Sequence, residues 1–261
     1  MSYINWDVDH VILHIWGPFG IRWYSLFFLF GFLLSVWLLN KMLIAEKRDP
    51  AFTESLLTYA LLGTVIGARI GHCLFYQPDY YLSNPMDIFY VWEGGLASHG
   101  GYIGVIIAVY IFAKVKNMEF LWLMDRVAIF SVMVGGFIRL GNLFNSEIYG
   151  KVTNVPWAFV FKRVDDLPRH PTQLYESFGY FFITALLYIF YLSKNRSPKN
   201  GQLLGAAAIL GFSFRSFIEY FKVNQVRFED DLILNMGQLL SIPYVLVGIF
   251  LLLGFADRQR A

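Results

Sequence analysis

Seven apolar runs divide the 261-residue chain, near residues 20–40, 53–76, 97–113, 120–141, 173–193, 202–221 and 233–255, with polar and proline- or glycine-bearing joints between them. A helix needs about 20 such residues to cross a hydrocarbon core of about 30 Å, so the pattern predicts an all-α polytopic membrane protein with seven transmembrane helices. The third run is short, and the fourth ends in polar residues. No internal repeat or low-complexity segment interrupts the series, and residues 1–261 are expected to form a single integral membrane domain.

Charge in the joints sets an orientation. With the N-terminus outside, the inner joints carry Lys41, Lys47, Arg48, Lys114, Lys116, Lys194, Arg196, Lys199, Arg258 and Arg260. The outer ones carry Lys151, Lys162, Arg163, Arg169, Lys222 and Arg227. Ten basic residues inside against six outside favour N-out and C-in, as an odd number of helices requires. Residues 77–96 contain no basic residue and hold Asp79, Asp87 and Glu93 with the turn formers Pro78, Asn84 and Pro85, which places them outside. Residues 142–172 form the longest connection, and in it Trp157, Phe159 and Phe161 alternate around Pro156 as in a short strand or hairpin. This segment is expected to be a small extracytoplasmic cap loop over a site open to the outer half of the bilayer.

Composition agrees with a membrane protein and narrows the function. Hydrophobic residues make up 57% of the chain and charged ones 15%, against roughly 25% in an ordinary soluble domain. A formal charge of +2 without a basic stripe argues against nucleic acid as a partner. The lone Cys73 allows no internal disulfide or thiolate metal cluster and reads as a small buried hydrophobe. Met1 to Gly20 lack a basic leader and a cleavage site, so the first span is expected to be uncleaved. Gly63, Gly67 and Gly71, spaced by four, read as a helix-packing stripe.

Chemistry concentrates where charge interrupts the apolar runs. Arg69, Arg126, Arg139 and Arg215 lie within predicted spans. A guanidinium near the bilayer centre costs at least about 2.5–3.5 kcal/mol, so such residues face a cavity, a partner or an anionic ligand. His99, followed by Gly100 and Gly101 at the start of the third span, places an imidazole of pKa near 6.5 beside flexible backbone and helix-start amides. That suits a general base, or equally an interfacial histidine bonded to a carbonyl. Arg139 and Asn142 share a helix face, and Glu147 lies just beyond; together they suit a phosphodiester head group, or an Arg139–Glu147 ion pair organising the cap. Arg215 and Glu219 are one turn apart and suit an ion pair or, with Arg139, a shared phosphate site. Arg169 to Glu176 read mainly as a helix start, with Gln173 and Glu176 facing the fourth span, and Met236 to Pro243 open the last span with Gln238. No nucleophilic-serine elbow, zinc-protease motif or phosphate-binding P-loop is present.

Taken together, His99-Gly-Gly, Arg139-x-Gly-Asn142-x-x-Asn145-x-Glu147-x-x-Gly150, His170-Pro-Thr-Gln-Leu-Tyr-Glu176, Arg215-x-x-x-Glu219 and Met236-Gly-Gln-x-Leu-Ser-Ile-Pro243 resemble the bacterial prolipoprotein diacylglyceryl transferases. Arg22-Trp-Tyr24 and Gly67-Ala-Arg69-Ile-Gly71 fit as well, so the likeness runs from about Trp16 to Tyr244. The resemblance implies a seven-helix protein of the bacterial inner membrane, with its active site toward the extracytoplasmic side. It implies transfer of the diacylglyceryl group of phosphatidylglycerol to the thiol of the lipobox cysteine in a prolipoprotein signal peptide, releasing glycerol phosphate. No metal or organic cofactor is required by that chemistry. His99 is then the expected base, with Arg139 and Arg215 as catalytic cations. Tyr24, Arg139, Asn142, Glu147, Gly150 and Glu219 are the expected substrate-binding residues. Ile138 and Gly211 depart from the family pattern, the latter removing a tyrosine hydroxyl one turn before Arg215.

A secondary transporter or flippase of an anionic lipid would also use buried arginines, but the sequence shows no symmetric pair of broken spans. A lipid scaffold would need the arginines without His99, and a phospholipase or acyltransferase would cut an ester instead. His99→Gln is expected to lower turnover more than lipid binding. Full thioether formation by that variant between about pH 6 and 9, followed by mass spectrometry, would contradict the base assignment.

Overall fold

Inside a bilayer the backbone has no water to bond, so a long apolar run must satisfy its own amides, and the helix does so within one segment. The computed structural model describes residues 3–16, 19–90, 95, 97–223 and 234–254, and over these the chain is predominantly helical. In chain order the elements are β1 (Ile4–Trp6), β2 (Val11–Trp16), β3 (Phe19–Arg22), α1 (Trp23–Ala45), α2 (Phe52–Phe75), α3 (Pro78–Ser83), α4 (Ser98–Val115) and α5 (Phe120–Phe144). They continue with β4 (Phe159–Phe161), β5 (Pro168–Arg169), α6 (Thr172–Ser193), α7 (Gln202–Ile218) and α8 (Met236–Leu252). Short 3-10 turns cover Pro85–Phe89 and Glu219–Phe221. Each apolar run holds a helix; among the described residues five are long and apolar enough to cross a membrane, and Gly100–Val115 and Met236–Leu252 are shorter apolar helices. Residues 77–96, expected to be a loop, include α3 and a 3-10 turn, each with proline near its start. Glu93, Arg227, Arg258 and Arg260 of the charge pattern lie outside the described residues.

Polar side chains and left-handed residues end the helices sharply. Lys47, Asn117 and Asn195 take positive φ after α1, α4 and α6. At each, the next residue's amide reaches back five positions, as in Arg48 to the Leu43 carbonyl (2.9 Å), Met118 to Ala113 (2.8 Å) and Arg196 to Tyr191 (3.0 Å). These are Schellman turns, satisfying carbonyls that the helix end leaves open.

The chain divides into two compact units, Leu39–Met124 and Met1–Leu38 with Asp125–Ala261. In the first, α2 and α4 pack through the expected glycine stripe. A Cβ at Gly67 would strike the carbonyl oxygen of Gly100, and one at Gly104 would strike that of Gly63. Gly100 therefore serves helix packing, and this accounts for one of the two glycines after His99 without a ligand.

In the second unit, Phe137 of α5 lies against Gly31 of α1, and α7 meets α8 where Gly205 faces Gly248. The 142–172 connection contains the short strand and hairpin that its alternation suggests, β4 with β5, and adds a pairing with the strand before α1. β4 pairs in parallel with β1, Ile4 opposite Phe159 and Trp6 opposite Phe161, and antiparallel with β5. Phe159 and Phe161 are both buried with Leu143, and Trp6, Tyr149 and Leu174 pack on them, while Trp157 stays outside the strand and donates to the Tyr175 hydroxyl at 2.7 Å. The Trp6 indole also donates to the Leu143 carbonyl at 3.0 Å, at the last turn of α5. A second antiparallel pair, β2 with β3, leads into α1. The all-α expectation thus holds for the apolar runs and omits two small sheets built from residues before α1 and after α5.

The buried carboxylate of Asp125 caps α7, accepting from the amides of Gly201 (2.9 Å) and Leu204 (2.8 Å). An acid at a helix start satisfies orphan amides and opposes the dipole. Asp125→Ala should cost about 1–2 kcal/mol, read as a lower unfolding midpoint in detergent, and Asp125→Asn should cost less. An unchanged midpoint in the alanine variant would contradict the capping role.

Candidate active site

The end of α5 and the start of α6 are joined by a strained turn that aims Glu147. Asn142, expected to stand at the membrane exit, is still helical, because α5 runs on to Phe144. Ser146 and Ile148 then take φ of 55° and 56°, a left-handed conformation unfavourable for a β-branched residue. Two buried side chains at the start of α6 hold the turn: the Thr172 hydroxyl donates to the Ile148 carbonyl at 2.8 Å, and the Gln173 amide to the Glu147 carbonyl at 2.7 Å. Such strain, on the order of 1–3 kcal/mol per residue, persists only where neighbours over-determine it. The result is that Asn142 and Asn145 both donate to Glu147 Oε1, at 2.7 and 3.1 Å.

From Asn142 a chain of charges runs through the unit. Arg139 donates to Asn142 Oδ1 at 3.1 Å, and its Nε lies 3.1 Å from Glu176 Oε2, an ion contact outside hydrogen-bond geometry. Asn142 thus bridges Arg139 to Glu147, and Glu176 also meets the cation. Glu176 has 0% exposure, and its other oxygen accepts from Lys222 Nζ at 2.9 Å. The same ammonium lies 3.1 Å from Glu219 Oε1, and Arg215 is 3.6 Å from that oxygen. The order is Arg139, Glu176, Lys222, Glu219, Arg215, alternating in sign. Burying a carboxylate costs several kcal/mol unless cations and donors meet it, and here each acid sits between two cations.

Backbone features fix the far end of that chain. Gly150 bridges to Lys222, with Lys151 N donating to Phe221 O at 2.8 Å, and a Cβ at Gly150 would press on Phe221, His170 and Thr172. Gly237 gives Glu219 its place, since a Cβ there would lie 2.7 Å from the carboxyl carbon. Asn235 and Gln238 form a reciprocal capping box at the start of α8, and the Gln238 amide also donates to the Ser216 carbonyl at 3.2 Å. Tyr24 packs over Gly141, the residue before Asn142.

The structure therefore brings Arg139, Asn142, Glu147, Gly150, Arg215 and Glu219 into one network, with Tyr24 beside it. Glu176 and Lys222 are central to it, although the sequence marked the first as mainly a helix start and counted the second as an outer-joint charge. Their signals were the Glu176 ending of the His170 motif and the Glu219-x-x-Lys222 spacing. The side chain of His99 lies outside the described residues. Arg126 is buried on α5, thirteen residues and so about 20 Å along the helix from Arg139. In the other unit, Arg69 is engaged by carbonyls, donating to those of Ile88 (2.9 Å), Gly95 (3.4 Å) and Asp87, and it borders a cleft of about 760 Å³ with His72, Tyr80, Tyr81 and Asp87. Cys73 is buried and free, as expected.

The sequence matches the family described as Prolipoprotein diacylglyceryl transferase over residues 10–254. It is 47% identical over 252 residues to the phosphatidylglycerol-prolipoprotein diacylglyceryl transferase of Chloroherpeton thalassium, covering 96% of this chain and 94% of that one. It is 46% identical to the enzyme of the same name from Tolumonas auensis, covering 95% and 96% of the two chains, and 44% identical to that from Porphyromonas gingivalis, covering 97% and 94%.

Proposed function

Because the chain belongs to the prolipoprotein diacylglyceryl transferase family, we propose that it transfers the diacylglyceryl group of phosphatidylglycerol to a prolipoprotein, with the Arg139–Arg215 charge network as its head-group site. The acceptor is the thiol of the lipobox cysteine at the end of a signal peptide. Membership in a family of transferases disfavours transport of an anionic lipid as the function.

The network carries this reading. Attack by sulfur on the terminal glycerol carbon forms a carbon–sulfur bond as the carbon–oxygen bond to phosphate breaks, and the electron pair leaves with glycerol phosphate. The phosphodiester carries one negative charge and the departing monoester approaches two, so cations placed before the reaction favour its transition state over its ground state. Arg139 and Arg215 supply them. Asn142 and Glu147 orient Arg139, Glu219 orients Arg215, Tyr24 closes the site beside Gly141, and Gly150 allows the backbone bridge that seats Lys222. The thiol, with an ordinary pKa of about 8.5, needs a base, and His99 is assigned that role.

The five long helices and two shorter apolar ones support a single seven-span domain over residues 1–261 in the bacterial inner membrane. N-out and C-in is the orientation that the ten inner against six outer basic residues of the joints favour. This orientation puts the 142–172 cap and the site on the extracytoplasmic side.

Purified protein incubated with phosphatidylglycerol and a synthetic lipobox peptide should add a diacylglyceryl mass to the cysteine peptide and none to its serine twin, with glycerol phosphate released. No increment, with saturable lipid binding, would contradict the transferase. Arg139→Ala and Arg215→Ala should each lose at least about a hundredfold in kcat/KM together with phosphatidylglycerol affinity. Unchanged lipid affinity in both variants would argue against a shared phosphate site.

A further inference from the structure

Resting on the transferase reading, we propose that the cleft at the C-terminal end of α2 is the acceptor site, holding the prolipoprotein as extended chain around its lipobox cysteine. The charge network accounts for the lipid head group, and the reaction has a second substrate. The cleft, of about 760 Å³, is lined by residues between Arg69 and Gly95 of the Leu39–Met124 unit and shares none with that network. Its volume falls in the range of small-ligand pockets, about 300–1,000 Å³, so a short stretch of extended chain fits and a folded partner does not.

The sequence builds this cleft where α2 gives way to a tyrosine-rich joint. Tyr76 follows the last turn of α2, Gln77 stands before Pro78 at the start of α3, and Tyr80 and Tyr81 come from α3 itself. Arg69 braces the wall. Its guanidinium donates to the carbonyls of Ile88 (2.9 Å), Gly95 (3.4 Å) and Asp87, and lies 5.0 Å from the centre of the Tyr81 ring. The Tyr80 hydroxyl donates to the Asp87 carboxylate, which fixes that ring across the joint. The rings are therefore set before a ligand arrives, and this lowers the ordering cost of binding.

The side chains that the wall does not use set the ligand's chemistry. The His72 imidazole stacks on Tyr76 and meets Tyr81 edge-on, yet it makes no hydrogen bond among the described residues, and neither the Gln77 amide nor the Tyr76 hydroxyl makes one. Gln77 offers a donor and an acceptor side by side, the complement of a peptide group. Tyrosine rings add flat, amphipathic contact at low cost in conformational freedom, and Tyr76 and Tyr80 are 66% and 50% exposed. A phosphate calls for converging donors, whereas the carboxylates of Asp79 and Asp87 border this cleft. Neutral donors and acceptors between aromatic rings suit a peptide backbone. In the N-out orientation the 77–96 joint stands on the extracytoplasmic side, where the proposed reaction takes place.

The test is steady-state kinetics on the full chain in mixed micelles, varying a synthetic lipobox peptide at fixed phosphatidylglycerol and then the reverse, with thermal unfolding as a control. Gln77→Ala and Tyr76→Leu should each raise KM for the peptide roughly fivefold or more and leave KM for phosphatidylglycerol within about twofold of wild type. A peptide KM unchanged in both variants would overturn the inference, and a raised KM for phosphatidylglycerol alone would make the cleft a lipid site instead. A lipobox peptide carrying a photoreactive benzophenone beside its cysteine reads the same question on the wild-type protein, and decides it if a variant does not fold. Crosslinks to residues 72–81 are expected, and crosslinks confined to other segments would overturn the inference. Absence of thioether from the wild-type protein would instead refute the transferase reading.

Discussion

A carboxylate with no access to water has to be met by positive charge, and the organisation of residues 125–223 and 234–254 follows from how Glu176 is met. Arg139 approaches one of its oxygens from α5, and Lys222 approaches the other from the segment after α7. Lys222 in turn requires Glu219, and Glu219 engages Arg215. Three helices and one connecting strand-like bridge are thus tied through side chains whose separate burial would be costly. The same network leaves its guanidinium ends partly open, so the features that hold the elements together also make an anion site.

The network is supported from one side by strain and from the other by close backbone approach. Ser146 and Ile148 keep left-handed conformations because Thr172 and Gln173 bond the turn that carries Glu147. Gly150 and Gly237 leave no room for a side chain, and in the space they leave lie the backbone near Lys222 and the carboxylate of Glu219. Thr172, Gln173 and the Met236-to-Gln238 segment therefore act as scaffolding for charges, one of which, Glu176, is carried by the His170 motif itself. Their link to function runs through geometry.

Most of the helical fold was legible in the sequence, because run length and apolar composition constrain a membrane helix more tightly than propensity constrains a soluble one. Boundaries moved by a few residues where polar side chains continued a helix, as at Asn142 in α5. The β1–β4 pairing was not legible, since parallel pairing between Ile4–Trp6 and Phe159–Phe161 joins segments about 150 residues apart with no local signature. Arg139, Asn142, Glu147, Arg215 and Glu219 could be singled out because each is a polar residue in or beside an apolar run. Lys222 carried only the weaker signal of its spacing from Glu219, which a lysine in a solvated joint can share. Glu176 was visible as part of a motif, but its burial depends on Arg139 and Lys222 arriving from other elements.

The most direct test of this account is an experimentally determined structure of the protein bound to a phosphatidylglycerol analogue whose scissile oxygen is replaced by a methylene. The phosphonate is expected within hydrogen-bond distance of both Arg139 and Arg215, with Lys222 still between Glu176 and Glu219. A head group bound away from these arginines, for example beside Arg69 and Tyr81, would contradict it.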